Sequence, residues 1–265
     1  MHNRKNTWFH KALTVFILVA GAPLVAVIIF LVIVNDLLFG TYTGWNYNYN
    51  IFTKVFRVGY FLTGLKVQEQ YETPHNRKQK YVFVFNHISY LDIPIMMTAL
   101  HQPVRVLAKT GPDKIPIFGY YYKHSTVMVD RTSLASRSRS VNNLKHFLDK
   151  GISILIFPEG TFNQQHTPLK DFYDGAFRIA IETQTNIKPV IMPDNYERLY
   201  YYGLSLEPGV SRVIYLEEVN VQGLTMNDLE TLKKTVYHQM ADALQRYQAS
   251  WIATETGNRS AAPAL

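Results

Sequence analysis

Residues 81–92 read YVFVFNHISYLD, and the fold turns on where the apolar half of that stretch stops. Tyr81 to Phe85 form a continuous aromatic and β-branched run, of a length that suits a strand buried on both faces. Polar residues begin at once with Asn86 and His87, and a helical pattern opens at Asp92 with IPIMM. A strand apolar on both faces must be covered on both, and a helix directly after it supplies one cover.

The same alternation recurs outward from this unit. VRVLA at 104–108, TVMV at 126–129, ISILIF at 152–157, PVIM at 189–192 and RVIYL at 212–216 read as further buried strands. Residues 92–100, 133–150, 171–183 and 227–247 between and after them have helical character. The expected fold is therefore α/β, with a mixed, largely parallel sheet flanked by helices, occupying residues 69–252. Residues 253–265 are expected to form a flexible tail.

The first quarter is different. Residues 12–34 are apolar except for Thr14, long enough for the roughly 20 helical residues that cross a hydrocarbon core. A cleaved leader is the alternative, but its apolar core is usually only about 7–15 residues and ends in a small-residue cleavage site, which is missing here. Tyr42, Trp45, Tyr47 and Tyr49 follow in an apparent polar loop, where aromatics suit a headgroup interface. In residues 51–65 Ile51, Val55, Val58, Leu62 and Leu65 recur at helical spacing around Lys54 and Arg57. An interfacial helix and a helix packed on the globular domain both fit that pattern. Residues 1–68 are accordingly read as an N-terminal two-helix membrane-anchoring module. Basic residues lie on both sides of the first segment, so a re-entrant hairpin bent near Pro23, or a monotopic pair of helices, is preferred to a single span.

Composition narrows the partners. The 265 residues carry a formal charge of +7, of which +5 falls before residue 67, beside the most apolar segment. That pairing favours an anionic membrane surface, and nucleic-acid motifs are absent. Without cysteine there can be no disulfide, thiolate zinc site or cysteine nucleophile. His101, His124, His146, His166 and His238 lack metal-ligand spacing, so ordinary surface or core roles are favoured for them.

Polar residues gather just after four of the strands: Asn86, His87, Ser89 and Asp92; Asp130 and Arg131; Glu159, Gly160 and Thr161; Pro193 and Asp194. In open α/β sheets ligands bind outside the carboxyl ends of strands, so these positions are expected to share one site. His87 and Asp92 are five apart, about 140° around a continuous helix. If His87 instead precedes the helix and Asp92 begins it, the carboxylate can fold back and orient the imidazole as a base. The alternative is a helix cap, since Ser89 and Asp92 also form an S-x-x-D capping pattern. Turn chemistry alone would explain Pro158 and Gly160 around Glu159.

NHISYLD, IPIFG, VDR, FPEGT and KPVIMP, in this order, resemble the glycerolipid acyltransferase family that includes the lysophosphatidic acid acyltransferases. The family's H-x4-D falls on His87 and Asp92, its second block on Val129, Asp130 and Arg131, its third on Phe157 to Thr161 and its last on Lys188 to Pro193. The resemblance implies acyl transfer from acyl-CoA or acyl carrier protein, as substrates rather than cofactors, to the free hydroxyl of 1-acyl-glycerol-3-phosphate. The product would be the phosphatidic acid of phospholipid biosynthesis. It implies His87 as base with Asp92 orienting it, and acceptor and phosphate binding by Arg131, Glu159, Gly160 and Thr161, with Lys109 as a further candidate. It also implies membrane lipids and a lysophospholipid as partners, no nucleic acid, and a place at the cytoplasmic face of the inner (plasma) membrane. One departure matters: the third block usually ends in arginine, whereas Phe162 stands here. Either Lys109, Arg131, Lys170 or Arg178 replaces the charge, or the acceptor lacks a phosphomonoester, as a lyso-ornithine or lyso-glycine lipid would. A membrane-tethered lipid-binding module without catalysis is the rival class.

Overall fold

A computed structural model describes residues 41–102, 104–114, 119, 122–123, 126–130, 132–199 and 206–252, together with separate helical positions between 12 and 38; at 41–48, 134 and 137 the backbone alone is described. Most of 12–34, Arg131, Tyr120, Tyr121, His124 and the tail from Ala253 onward lie outside the described residues.

The chain runs α1 (Thr41–Thr63), β1 (Leu65–Tyr71), β2 (Val82–Phe85), α2 (Asp92–Ala99), β3 (Val104–Lys109), β4 (Thr126–Val129), α3 (Leu134–Asp149), β5 (Ser153–Ile156), α4 (Gly175–Glu182), β6 (Ile187–Ile191), α5 (Asn195–Arg198), β7 (Gly209–Tyr215) and α6 (Leu229–Arg246). The strands form one sheet in the order β1-β7-β6-β2-β5-β3-β4. From β6 to β4 all neighbours are parallel, whereas β7 meets β6 antiparallel and carries β1 parallel beside it. The sheet is thus mixed and largely parallel, flanked by helices, as the alternation of elements required.

The apolar run at 82–85 serves both faces. Val82 and Val84 join Ile154, Ile156, Leu144, Phe177 and Val236 in a core under α3, α4 and α6. Phe83 and Phe85 point the other way, with Leu155, Ile95, Met96 and Phe52 under α1 and α2. Two-sided burial is why the strand shows no polar alternation.

Two readings needed correction at the N-terminal side. Residues 41–50, expected as a polar loop, belong to α1. Polarity there misled because tertiary contacts, not propensity, hold this helix: the buried Tyr49 donates its hydroxyl to the Met97 carbonyl on α2. The helix ends at Thr63 because Gly64 takes φ +70, a left-handed C-terminal stop. A strand then follows that the sequence reading did not include, LKVQEQY at 65–71, running through residue 68 where the helical module was expected to end. Its polar residues fit an edge position, since β1 pairs with β7 alone. Among the described residues no helix is long and apolar enough to cross a membrane.

Candidate active site

Because β6, β2, β5, β3 and β4 are parallel, their carboxyl ends share one edge of the sheet. The polar motifs read from the sequence follow these ends. His87 lies two residues beyond β2, and Asp92 is the first residue of α2. Five residues therefore span a turn, and the carboxylate folds back: His87 Nδ1 lies 2.8 Å from Asp92 Oδ2. A carboxylate oxygen only accepts, so Nδ1–H donates to Asp92, and Nε2, on the opposite side of the ring, can accept a proton when the imidazole is neutral.

The carboxylate that meets His87 also reaches back to the turn before α2, although the residue preceding the helix, Leu91, makes no side-chain cap. Oδ2 of Asp92 also accepts the backbone N–H groups of Ile88, at 2.7 Å, and Ser89, at 2.9 Å. Its Oδ1 accepts from Asn195 Nδ2 at 2.8 Å. Asp92 is fully buried while the His87 ring remains 16% exposed, so the carboxylate is internal and the imidazole faces outward.

The loop after β5 holds His87 from the other side. The His87 N–H donates to Glu159 Oε1 at 2.8 Å, and the His87 carbonyl accepts from the Asn163 N–H at 2.7 Å. Glu159 Oε2 accepts the Lys170 N–H at 2.9 Å. Burial pushes the Glu159 carboxyl up to about 8, with the Asp92 charge adding and the two backbone donors opposing. The imidazole is clamped between rings. Phe157 stacks on it with centroids 4.0 Å apart, and Phe162 tilts against it at 4.2 Å while meeting Tyr90 edge-on.

His87 borders a cavity of about 910 Å³, near the upper end of the roughly 300–1,000 Å³ common for ligand sites. Its walls include Phe56, Ile93, Met96, Met97, Val106 and Leu107, with Lys109, Thr161 and Lys170 as polar groups. The cavity thus runs from the dyad between α2, β3 and α1.

Of the residues expected at the site, His87, Lys109, Gly160 and Thr161 line this cavity. Asp92 lies behind His87, and Arg131 is outside the described residues. Glu159, expected against substrate, is buried and absent from the lining, and backbone groups occupy both its oxygens. Gly160 adopts φ +75, the left-handed conformation that turns the loop back toward His87. Lys170 donates to Thr161 Oγ1 at 2.7 Å, which sets a cation beside the third motif, whereas Arg178 lies exposed on α4 away from the cavity. Asn195 and Ser211 were missed: nothing in their local sequence separates them from ordinary strand-end polar residues.

A family model described as Acyltransferase matches residues 65–193. The 1-acyl-sn-glycerol-3-phosphate acyltransferase alpha of Mus musculus is 28% identical over 184 residues, 68% of this chain and 64% of that protein. This chain thus spans less than two thirds of that relative's length. A 1-acyl-sn-glycerol-3-phosphate acyltransferase of Borreliella burgdorferi is 25% identical over 191 residues, covering 71% of this chain and 76% of its own. The crystal structure of the 1-acyl-sn-glycerophosphate acyltransferase PlsC from Thermotoga maritima superimposes with a TM-score of 0.70 at 20% identity, covering 92% of this chain and 97% of that one.

Proposed function

From the match of residues 65–193 to the acyltransferase family model, we propose that the chain transfers a fatty acyl group from acyl-CoA or acyl carrier protein to the free hydroxyl of 1-acyl-glycerol-3-phosphate. The observation that carries this reading is the 2.8 Å His87–Asp92 contact at the mouth of a mainly apolar cavity of about 910 Å³. A thioester carbonyl at that mouth could bury its hydrocarbon tail while the acceptor hydroxyl approaches His87 Nε2.

His87 takes the hydroxyl proton as the oxygen attacks the thioester carbon, and Asp92 balances the imidazolium. The tetrahedral intermediate collapses with cleavage of the C–S bond, and the proton on His87 passes to the departing sulfur. Atoms and charge balance without a covalent acyl-enzyme.

Lys170 and Lys109 are the described cations lining the cavity, and they are proposed to bind the acceptor phosphate in place of the arginine that Phe162 replaces. Phe162 also supports a second reading. Its packing on His87 gives an apolar wall where a phosphate would otherwise be held, which suits a lyso-aminolipid acceptor.

Residues 1–68 are proposed to dock the enzyme on the cytoplasmic face of an anionic membrane. Val58, Phe61 and Leu62 are exposed on α1, and Lys54 and Arg57 lie on the same helix.

The purified full chain, given labelled acyl-CoA with 1-acylglycerol-3-phosphate, 1-acylglycerol or a lyso-aminolipid, tests both readings. Loss of transfer when the phosphate is removed supports the first and indifference to it the second. Transfer by His87→Ala at the wild-type rate overturns the mechanism.

A further inference from the structure

The hydrogen bonding around Asp92 does not stop at His87. Its outer oxygen, Oδ1, accepts from Asn195 Nδ2 at 2.8 Å, and Asn195 Oδ1 in turn accepts the Ser211 hydroxyl. Asp92, Asn195 and Ser211 are each fully buried. Asn195 opens α5 just after β6, and Ser211 lies on β7, so the series reaches from α2 across two further elements. Both residues fall beyond the segment 65–193 that carries the family match.

The chemistry fixes the direction of each bond. A carboxylate can only accept, so the amide must present its NH2 to Asp92 and its carbonyl to Ser211, whose hydroxyl donates. Reversing the amide would set an oxygen against a buried carboxylate. Ser211 therefore holds the orientation of Asn195, and Asn195 holds Asp92.

Further contacts secure the loop after β6 to the loop after β2. The Met192 N–H donates to Asn86 Oδ1 at 2.8 Å, and Ser89 Oγ donates to the Leu199 carbonyl at 2.7 Å. Asn195 thus sits on a backbone latched to the turn that carries His87. In a buried network each donor on a carboxylate fixes its direction as well as its charge.

We propose that Asn195, oriented by Ser211, is a positioning residue for the acyl transfer, holding Asp92 so that its other oxygen aims His87 Nε2 at the acceptor hydroxyl. This rests on the acyltransferase reading.

The test compares wild type, Asn195→Ala, Asn195→Asp, Ser211→Ala and His87→Ala as full-length proteins, using acyl-CoA and 1-acylglycerol-3-phosphate. Thermal melts are recorded in parallel. Losing a hydrogen bond to a charged group predicts that kcat of Asn195→Ala falls roughly 10- to 100-fold with little change in KM, and that Ser211→Ala falls less. Asn195→Asp keeps the volume but sets a second carboxylate against Asp92. Its rate relative to wild type should rise as pH falls, because a protonated Asp at 195 can again donate. A merely structural residue would not produce that pH-dependent ratio.

The downfield proton signal of His87 Nδ1–H gives a readout independent of turnover, and it should move in Asn195→Asp. A wild-type kcat in Asn195→Ala, a flat ratio in Asn195→Asp, or an unmoved signal overturns the positioning role. His87→Ala active at the wild-type rate instead overturns the acyltransfer reading on which it rests.

Discussion

The ring of Phe162 lies 4.2 Å, centroid to centroid, from the imidazole of His87 and is tilted 56° to it. The residue that departs from the family pattern thus touches the proposed base itself. Replacing Phe162 by arginine should restore a bidentate phosphate donor beside the acceptor and remove an aromatic contact worth about 0.5–1.5 kcal/mol. The expected outcome is a higher ratio of kcat/KM for 1-acylglycerol-3-phosphate over 1-acylglycerol, measured with one acyl-CoA. An unchanged ratio would mean that position 162 does not read the headgroup.

His87 and Asp92 should separate when stability is measured beside rate. His87→Ala removes the proposed base, so a loss of roughly 10²–10⁴-fold in kcat is expected with the fold retained. Asp92→Ala removes the shared acceptor of Ile88 N–H, Ser89 N–H and Asn195 Nδ2, leaving buried donors unpaired. Its cost should be about 3 kcal/mol of stability in addition to the lost rate. Equal melting temperatures for the two variants would contradict this account of Asp92.

Glu159 should make stability depend on pH. Burial raises its carboxyl from 4.5 to about 8, so between those values the folded chain holds a proton that the unfolded chain has released. The stabilisation is complete below 4.5 and is lost as pH rises through 8, by about 1.4 kcal/mol per pH unit at most. In Glu159→Gln one backbone N–H loses its acceptor, which lowers stability at every pH, but the slope should disappear. Urea titrations at several pH values read both effects, and a slope retained in the variant would assign it to another group.

How much of this was legible beforehand differs from residue to residue. The run at 82–85 announced a doubly covered strand because each of its side chains is apolar, and the parallel order of strands then gathered the strand-end motifs. Strand β1 escaped because LKVQEQY is an edge strand with most of its side chains near water, and its pattern resembles a loop. At the end of β6 the sequence reading selected Asp194, the charged residue, over Asn195. Asp194 turns away and forms a two-pronged ion pair with Arg212 at 2.6 and 2.8 Å, while the neutral amide beside it reaches Asp92. Which of two adjacent polar residues faces inward depends on the turn after β6, and composition does not encode that turn. Glu159 shows the same limit: its motif located the loop correctly, but burial directs its carboxylate to the backbone.

The cavity predicts a sensitivity to acyl-chain length. Ala108 lines it from β3, close to Lys109. Phenylalanine at 108 adds bulk to a space of about 910 Å³ and should exclude the longest donors first. With a series of acyl-CoA chain lengths, the optimum should move to shorter chains while short-chain rates stay near wild type. A uniform loss at all lengths would place Ala108 outside the acyl path.

The exposed face of α1 yields a prediction that needs no substrate. Phe61 is 84% exposed, and Val58 and Leu62 are more than half exposed, although apolar groups of this size gain from leaving water. Lys54 and Arg57 stand on the same helix, where each can contribute about 1 kcal/mol of attraction to an anionic surface. Reversing both charges, Lys54→Glu with Arg57→Glu, should therefore weaken binding to phosphatidylserine-containing vesicles by at least about 30-fold in low salt. Because exposed charges act over a Debye length of about 8 Å at physiological ionic strength, high salt should narrow the gap between variant and wild type. Phe61→Asp acts by another route. It removes apolar contact, so its loss of binding should persist in high salt and on neutral vesicles. Vesicle flotation across a salt series separates the two mechanisms. If neither variant loses binding, the surface of α1 packs against something other than lipid, and docking must rest on the residues that precede it.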